Sequence, residues 1–382
     1  MPESSEQTGL SRAEVERYSR QLVLPEVGQR GQKRLKNSSV VIVGAGGLGI
    51  PASVYLAAAG VGRIGIVDND VVELSNLHRQ TIYSESDLGR AKVDVLGERL
   101  RSVNPHVSVT THSLRLDSSN ALDVLAGYQV VVDCTDNFPA RYLINDACVL
   151  QRKPDIYSSI FRFDGQASVF YSEKGPCYRC LFPAPPPPDA VQSCAIAGVL
   201  GVLPGIMGSI QAAQALNLMI GNGQSLVGRL LLFSATDMSF NEVRVRKNAN
   251  CPVCGPAPTI TKLIDYDEFC GLRRSFNVDE LSPRALKRLM ENGSELLLLD
   301  VREPFEHELC SIDGSKLIPI GELERRLGEL GRDDDIVVYC HMGIRSARAA
   351  EFLTGRGFTK VRNLTGGIRA WAEEVDPGMP RY

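Results

Sequence analysis

From about residue 38 to residue 150, short apolar runs alternate with segments of helical spacing. The runs SVVIVG (39–44), RIGIVDND (63–70) and YQVVVDCTDN (128–137) are short, rich in β-branched residues, and pass into Gly or Asp at their ends. Continuous apolar runs of this kind suit strands buried on both faces, so they predict parallel strands whose carboxyl ends open into functional loops. The spacing predicts helices over 87–103 and 140–150. Together these elements predict a doubly wound α/β sheet of Rossmann type.

After residue 154 the runs QASVFYS, RLLLFSA and EVRVRK alternate, which predicts an antiparallel extension of the first sheet. The stretch from Ala195 to Ile220 carries no charge and imitates a membrane span. Its glycines, Pro204, Gln211, Gln214 and Asn217 favour a buried helix at a core or subunit interface instead. The run Pro185 to Pro188 is read as a stiff, exposed crossover loop. Beyond it, residues 256–275 read as an interdomain linker. The last hundred or so residues form a second, smaller α/β unit. There Ser282 and Pro283 look like the cap and first position of a helix, ELLLLD and DIVVYC like buried strands, and RSARAAEFLTGRG like a helix stopped by glycine. The expected domains are 1–255 and 276–382.

Composition agrees with two globular domains: of 382 residues, 43% are hydrophobic and 23% charged. A formal net charge of -3 supplies no basic field, so neither nucleic acid nor an anionic membrane is expected as the main partner. The opening MPESSEQTGLSRAEVERYSRQ has no apolar core for a secretory signal, and a cytoplasmic location is expected. Four of the ten cysteines fall in two Cys-x-x-Cys pairs, which suit metal ligands in a reducing compartment better than disulfides.

The loop Gly44-Ala45-Gly46-Gly47-Leu48-Gly49 follows a strand and opens a helix, so its backbone can approach a phosphate at a helix N-terminus. Asp68, at the end of the next strand, is placed to bind ribose. Both features fit an NAD-dependent oxidoreductase as well as an ATP enzyme. The segment Ser75-Asn76-Leu77-His78-Arg79-Gln80 separates them, together with Lys92 and the strand end Thr135-Asp136-Asn137. Attack of a carboxylate on the α-phosphate of ATP builds charge that cations must hold, and Asp136 suits a Mg²⁺ ligand that neutralises departing pyrophosphate. Hydride transfer needs none of this.

The ordered set GAGGLG, VDNDVVELSNLHRQ, GRAK and CTDN resembles the adenylation domain shared by MoeB, ThiF and ubiquitin-activating enzymes, over residues 11 to about 255. The resemblance implies that Gly47, Asp68, Ser75, Asn76, Leu77, His78, Arg79, Lys92, Asp136 and Asn137 line the ATP and metal site. In that family an arginine of the RYSRQ segment reaches the partner subunit's ATP. That role falls on Arg20, with Arg17 as lesser candidate, and implies a homodimer.

Cys177 and Cys180 with Cys251 and Cys254 match a structural four-thiolate zinc site, with a redox dithiol as the alternative, and the resemblance supports the zinc reading. Cys194 precedes the uncharged helix. As a bare spacing it fits either a thiolate favoured by a helix dipole or a small buried hydrophobe. The family resemblance implies a transient thioester or disulfide there, although Ala195-Ile196-Ala197 stands where members often place an acidic residue.

In the second unit, the strand DIVVYC delivers Cys340 into the loop His341-Met342-Gly343-Ile344-Arg345. Several amides there can face the sulfur, and Arg345 adds charge. With Asp300-Val301-Arg302-Glu303-Pro304 and Asn363-Leu364-Thr365-Gly366-Gly367, this loop resembles the rhodanese active site over roughly residues 276–378. Phosphatases of the same fold have a longer loop, so sulfur is the expected anion. The two resemblances imply one chemistry. A ubiquitin-like sulfur carrier ending in Gly-Gly is adenylated, and a Cys340 persulfide, charged by a cysteine desulfurase or thiosulfate, converts it to a thiocarboxylate. A non-catalytic scaffold for carrier and donor is the remaining alternative.

Overall fold

The computed structural model describes residues 9–186, 198–222, 225–271 and 278–382. The chain separates into two compact units, Met1–Leu272 and Arg273–Tyr382.

The first unit is built on an eight-stranded sheet of order β3-β2-β1-β4-β5-β6-β7-β8. Strands β1 (Ser39–Val43), β2 (Arg63–Val67), β3 (Ser108–His112), β4 (Val130–Asp133) and β5 (Asp155–Phe161) run parallel, and β6 (Asp164–Phe170), β7 (Arg229–Ser234) and β8 (Ser239–Arg244) continue antiparallel. The β-branched runs explain the parallel half: β1 is buried along its whole length and so is β4, because helices cover both faces. Strand order reverses between β1 and β4, which opens a crevice at their carboxyl ends.

The uncharged stretch forms the helix Leu203–Ile220, with Pro204 in its first turn and Gly221 left-handed at its end. Its buried face includes Gln211, which is fully buried because its amide donates to the carbonyls of Asp133 (2.6 Å) and Ile156 (2.9 Å). A polar residue thus joins β4 to β5, its hydrogen bonds offsetting the cost of its burial. Among the described residues, no helix is long and apolar enough to cross a membrane.

Two boundaries differ from the pattern. The helix expected from residue 87 begins at Lys92, because a 3₁₀ turn at Glu85–Asp87 and Gly89 at φ +79° occupy the chain before it. Residues 263–271, expected as linker, pack onto the first unit: Tyr266 and Cys270 join its core, and the Tyr266 hydroxyl donates to Asp146 (2.9 Å).

The second unit is a five-stranded parallel sheet, β11-β10-β12-β13-β9. Its strands are β9 (Asp279–Leu281), β10 (Leu297–Asp300), β11 (Lys316–Leu317), β12 (Ile336–Tyr339) and β13 (Val361–Leu364). The Ser282 side chain caps the helix Pro283–Glu291, as its sequence predicts.

Candidate functional site

The crevice between β1 and β4 gathers the first set of residues. Gly44 leaves β1 at φ +101°, and a Cβ there would lie 2.7 Å from the Cys134 carbonyl, so only glycine lets the two strand ends meet. The helix Gly49–Ala58 follows and aims its N-terminus at the crevice. Among the described residues, no acceptor faces the amides of Gly46 and Gly47. Gly47 sits beside the Arg79 backbone and Pro204, so the SNLHRQ segment and the uncharged helix form the walls of the glycine loop.

Asp68 is half-buried, and its two oxygens accept from the amides of Ala45 (2.7 Å) and Asp70 (2.8 Å). Burial nevertheless holds its pKa above the ordinary carboxylate value. Lys92 is buried, with its ammonium on Asp70 (2.9 Å). Tyr83, which sequence reasoning missed, donates to the Ala45 carbonyl (2.8 Å) and ties the loop to the start of the Lys92 helix. Arg79 donates to the Ser75 carbonyl (2.9 Å) and lies 3.0 Å from His78 Nε2. Asn76 Oδ1 and Gln80 Oε1 are buried without a partner. Two such orphaned acceptors beside a glycine cradle fit a ligand that brings donors, as an adenine nucleotide does. Ser75 and His78 are exposed at the same wall, whereas Leu77 packs against the core.

At the end of β4 the loop Cys134-Thr135-Asp136 is clamped from below. Asp133 accepts from both the amide (2.9 Å) and the hydroxyl (2.6 Å) of Thr135, and Arg141 donates to the Thr135 carbonyl (3.2 Å). The clamp presents Asp136 to solvent, where a carboxylate can meet a phosphate-bound cation. Asn137 has a second duty: its side chain caps the helix Phe138–Leu150 by accepting from the Ala140 amide (3.0 Å). Arg20 is exposed on the short helix Ser19–Leu22, while Arg17 donates to the Val103 carbonyl (3.0 Å).

The four cysteines of the paired motifs meet. The sulfurs of Cys177, Cys180, Cys251 and Cys254 all lie within 4.8 Å of one another, and the shorter separations are 3.4, 3.5 and 3.9 Å. Tetrahedral thiolates at about 2.3 Å from one ion stand roughly 3.8 Å apart, so the arrangement fits a four-sulfur metal centre. Its anchor is a buried ion pair that no local pattern foretells, Arg179 on Asp146 through two bonds of 2.8 Å. Cys194 and Pro187–Pro188 lie outside the described residues.

Cys340 directly follows β12 and is buried. Its sulfur accepts from the Gly343 amide (3.1 Å) and the Ser346 hydroxyl (3.3 Å), at the start of the helix Ile344–Gly355. Donors aimed at the sulfur, with a helix N-terminus behind them, stabilise an anionic thiolate or persulfide. Gly367 closes on this loop: a Cβ there would lie 2.3 Å from the Cys340 carbonyl. The Arg345 guanidinium acts on Cys340 by charge, as expected, while both its terminal nitrogens bond to the buried Glu306 carboxylate at 2.7 Å.

Both units have matches among known proteins. Residues 18–253 match the ThiF family and residues 282–374 the rhodanese-like domain. A probable adenylyltransferase/sulfurtransferase MoeZ of Mycobacterium tuberculosis is 44% identical, covering 98% of this chain and 97% of its own length. The adenylyltransferase and sulfurtransferase MOCS3 of Culex quinquefasciatus is 43% identical over 98% of this chain and 91% of its own. Among solved structures, E. coli MccB shares the fold of the first unit, with a TM-score of 0.57 at 24% identity over 66% of this chain and 75% of its own. The chain belongs to the ThiF family, in the form that carries a rhodanese-like sulfurtransferase domain after its adenylation domain.

Proposed function

We propose that this enzyme uses ATP to activate the C-terminal carboxylate of a ubiquitin-like sulfur carrier ending in Gly-Gly, and then delivers sulfur held as a persulfide on Cys340. The observation that carries the reading is the pairing, in one chain, of a glycine-lined crevice with a buried, donor-facing cysteine.

In the first step the carrier carboxylate attacks the α-phosphorus of ATP, forming an acyl-adenylate and releasing pyrophosphate. The amides of Gly46 and Gly47 and the helix behind them receive the phosphates, and Arg79 and Lys92 balance the charge that builds there. Asp136, pushed outward by its clamped loop, is assigned to Mg²⁺, which would neutralise the leaving pyrophosphate. Asp68 and Asn76 are assigned to the nucleoside.

In the second step the terminal sulfur of the Cys340 persulfide attacks the acyl carbon and AMP departs. A further thiol then attacks the Cys340 sulfur of the acyl disulfide, so the thiocarboxylate leaves and a disulfide to Cys340 remains. An external dithiol must reduce that disulfide before the next turnover, and Cys194 is assigned to a transient thioester or disulfide in this handover. Zinc is assigned to the four-cysteine centre, with a structural role because the four sulfurs fill a tetrahedron. A cysteine desulfurase or thiosulfate supplies the sulfur, and the cytoplasm is the compartment that keeps these thiols reduced.

The test separates the two halves. With a Gly-Gly-ending carrier the enzyme should exchange pyrophosphate into ATP, and Arg79→Ala or Asp136→Ala should lower this by about a hundredfold or more. Cys340→Ala should exchange normally yet take up no sulfur from thiosulfate. Tight NAD binding without exchange would sink the adenylation reading.

A further inference from the structure

Tyr382 touches the sulfur loop at two points. Its ring stacks on His341, the residue after Cys340, with centroids 4.6 Å apart and planes 12° from parallel. Its hydroxyl accepts from Arg302 (2.5 Å) and donates to Glu306 (3.3 Å), the carboxylate that grips Arg345 at the far end of the same loop. Arg302 is itself fixed by the fully buried Asp300. One phenol therefore joins both ends of the loop to a rigid buried ion pair. His341 is buried beneath the ring with Nδ1 unpartnered, and burial holds its pKa below the ordinary imidazole value.

We infer that Tyr382 is a positioning residue for sulfur transfer: it covers His341, and it holds the loop so that the Gly343 amide and the Ser346 hydroxyl meet the sulfur on Cys340. This rests on Cys340 being the sulfur carrier. When thiosulfate reacts, the Cys340 thiolate bonds to the outer sulfur, the bond to the sulfonate sulfur breaks, and sulfite leaves with the electron pair. The loop donors stabilise the anionic sulfur before and after that exchange, and they work only in the shape that Tyr382 maintains.

The groups facing His341 decide the pH signature. Glu306 favours its charged form, whereas Arg345, Arg302 and Arg369 oppose it, and burial outweighs them all. Removing the ring admits water, so His341 then titrates nearer its ordinary value and places a cation beside the sulfur within the working pH range.

Sulfur loading from thiosulfate, followed by the mass of the intact enzyme from pH 5.5 to 8.5, tests this with Tyr382→Ala and Tyr382→Phe. Tyr382→Ala should load about tenfold or more slowly, mainly in kcat, and gain an inflection near pH 6–7. That inflection should vanish in the Tyr382→Ala/His341→Gln double variant. Tyr382→Phe keeps the stack, so it should restore the wild-type pH profile while recovering only part of the rate. ATP–pyrophosphate exchange should be unchanged in every variant. If Tyr382→Ala keeps the wild-type rate and profile, or loses rate only in proportion to unfolded protein, the positioning role is overturned. A wild type that takes up no sulfur overturns the sulfurtransferase reading as well.

Discussion

Beneath the Asp136 loop two carboxylates are buried together. Asp133 and Asp155 are at most 1% exposed, and each has one oxygen without a partner. Burial raises both pKa values, and the charge of Asp133 pushes Asp155 further. A group whose folded pKa lies above its unfolded value holds a proton that the unfolded chain has already released. Stability from such a group is complete below the ordinary carboxylate range and is lost as pH rises toward the raised value. Each unit of separation is worth about 1.4 kcal/mol. Asp155→Asn stays neutral at every pH and removes the charge that Asp133 opposes. The urea midpoint of the first unit should therefore fall less between pH 5 and pH 8 in Asp155→Asn than in wild type, and equal slopes would reject the account. The same loop shows how one residue serves two ends: Asn137, expected from its motif at the nucleotide, also closes a helix whose cap is worth about 1 kcal/mol.

At the scale of elements, what the sequence disclosed was what short-range pattern encodes. The apolar runs at 39–44, 63–70 and 128–137 became β1, β2 and β4, because buried parallel strands leave continuous apolar signatures. β3 was missed: SVTTH lies at the sheet edge, is partly exposed, and carries no apolar run. The glycine loop and the Cys340 loop were legible for the same reason as their strands, since each directly follows one. Glu306 and Tyr382 were not, because their partners lie 39 and 76 residues away and only the packed unit brings them together. The cysteine pairs announced a metal site, but not what holds it. The Tyr178–Leu181 helix has four residues and cannot stand alone. Arg179 on Asp146 and the Tyr178 amide on Asn145 (2.7 Å) fasten it to the helix behind the Asp136 loop. Freshly prepared enzyme should contain one zinc per chain. Cys251→Ser should lose it, with a fall of roughly 10 °C or more in the melting temperature of the first unit, since structural zinc contributes directly to folding. Metal analysis finding no zinc in chelator-free protein would remove the metal from the proposal.

For the whole molecule, the question is whether one chain completes its own ATP site. Every group assigned to phosphate or nucleoside follows the ends of β1, β2 and β4, except Arg20. That residue is exposed on a four-residue helix, beside a buried Tyr18 whose hydroxyl accepts from Asn104 (2.8 Å) and pins the helix to the unit. We propose that Arg20 reaches the ATP of a second copy across a twofold axis, the commonest closed symmetry. Neither Arg20→Ala nor Asp136→Ala should then adenylate alone, the first lacking the visiting cation and the second its metal ligand. Mixed in equal amounts and allowed to exchange, half the dimers pair one chain of each kind. In every such dimer the site with Asp136 receives Arg20 from its partner, while the other site lacks both. About a quarter of all sites should therefore recover pyrophosphate exchange, on the dimer symmetry assumed here. Labelled subunits would report that exchange had occurred. Recovery near that fraction places Arg20 in the partner's site, and no recovery after demonstrated exchange returns it to its own.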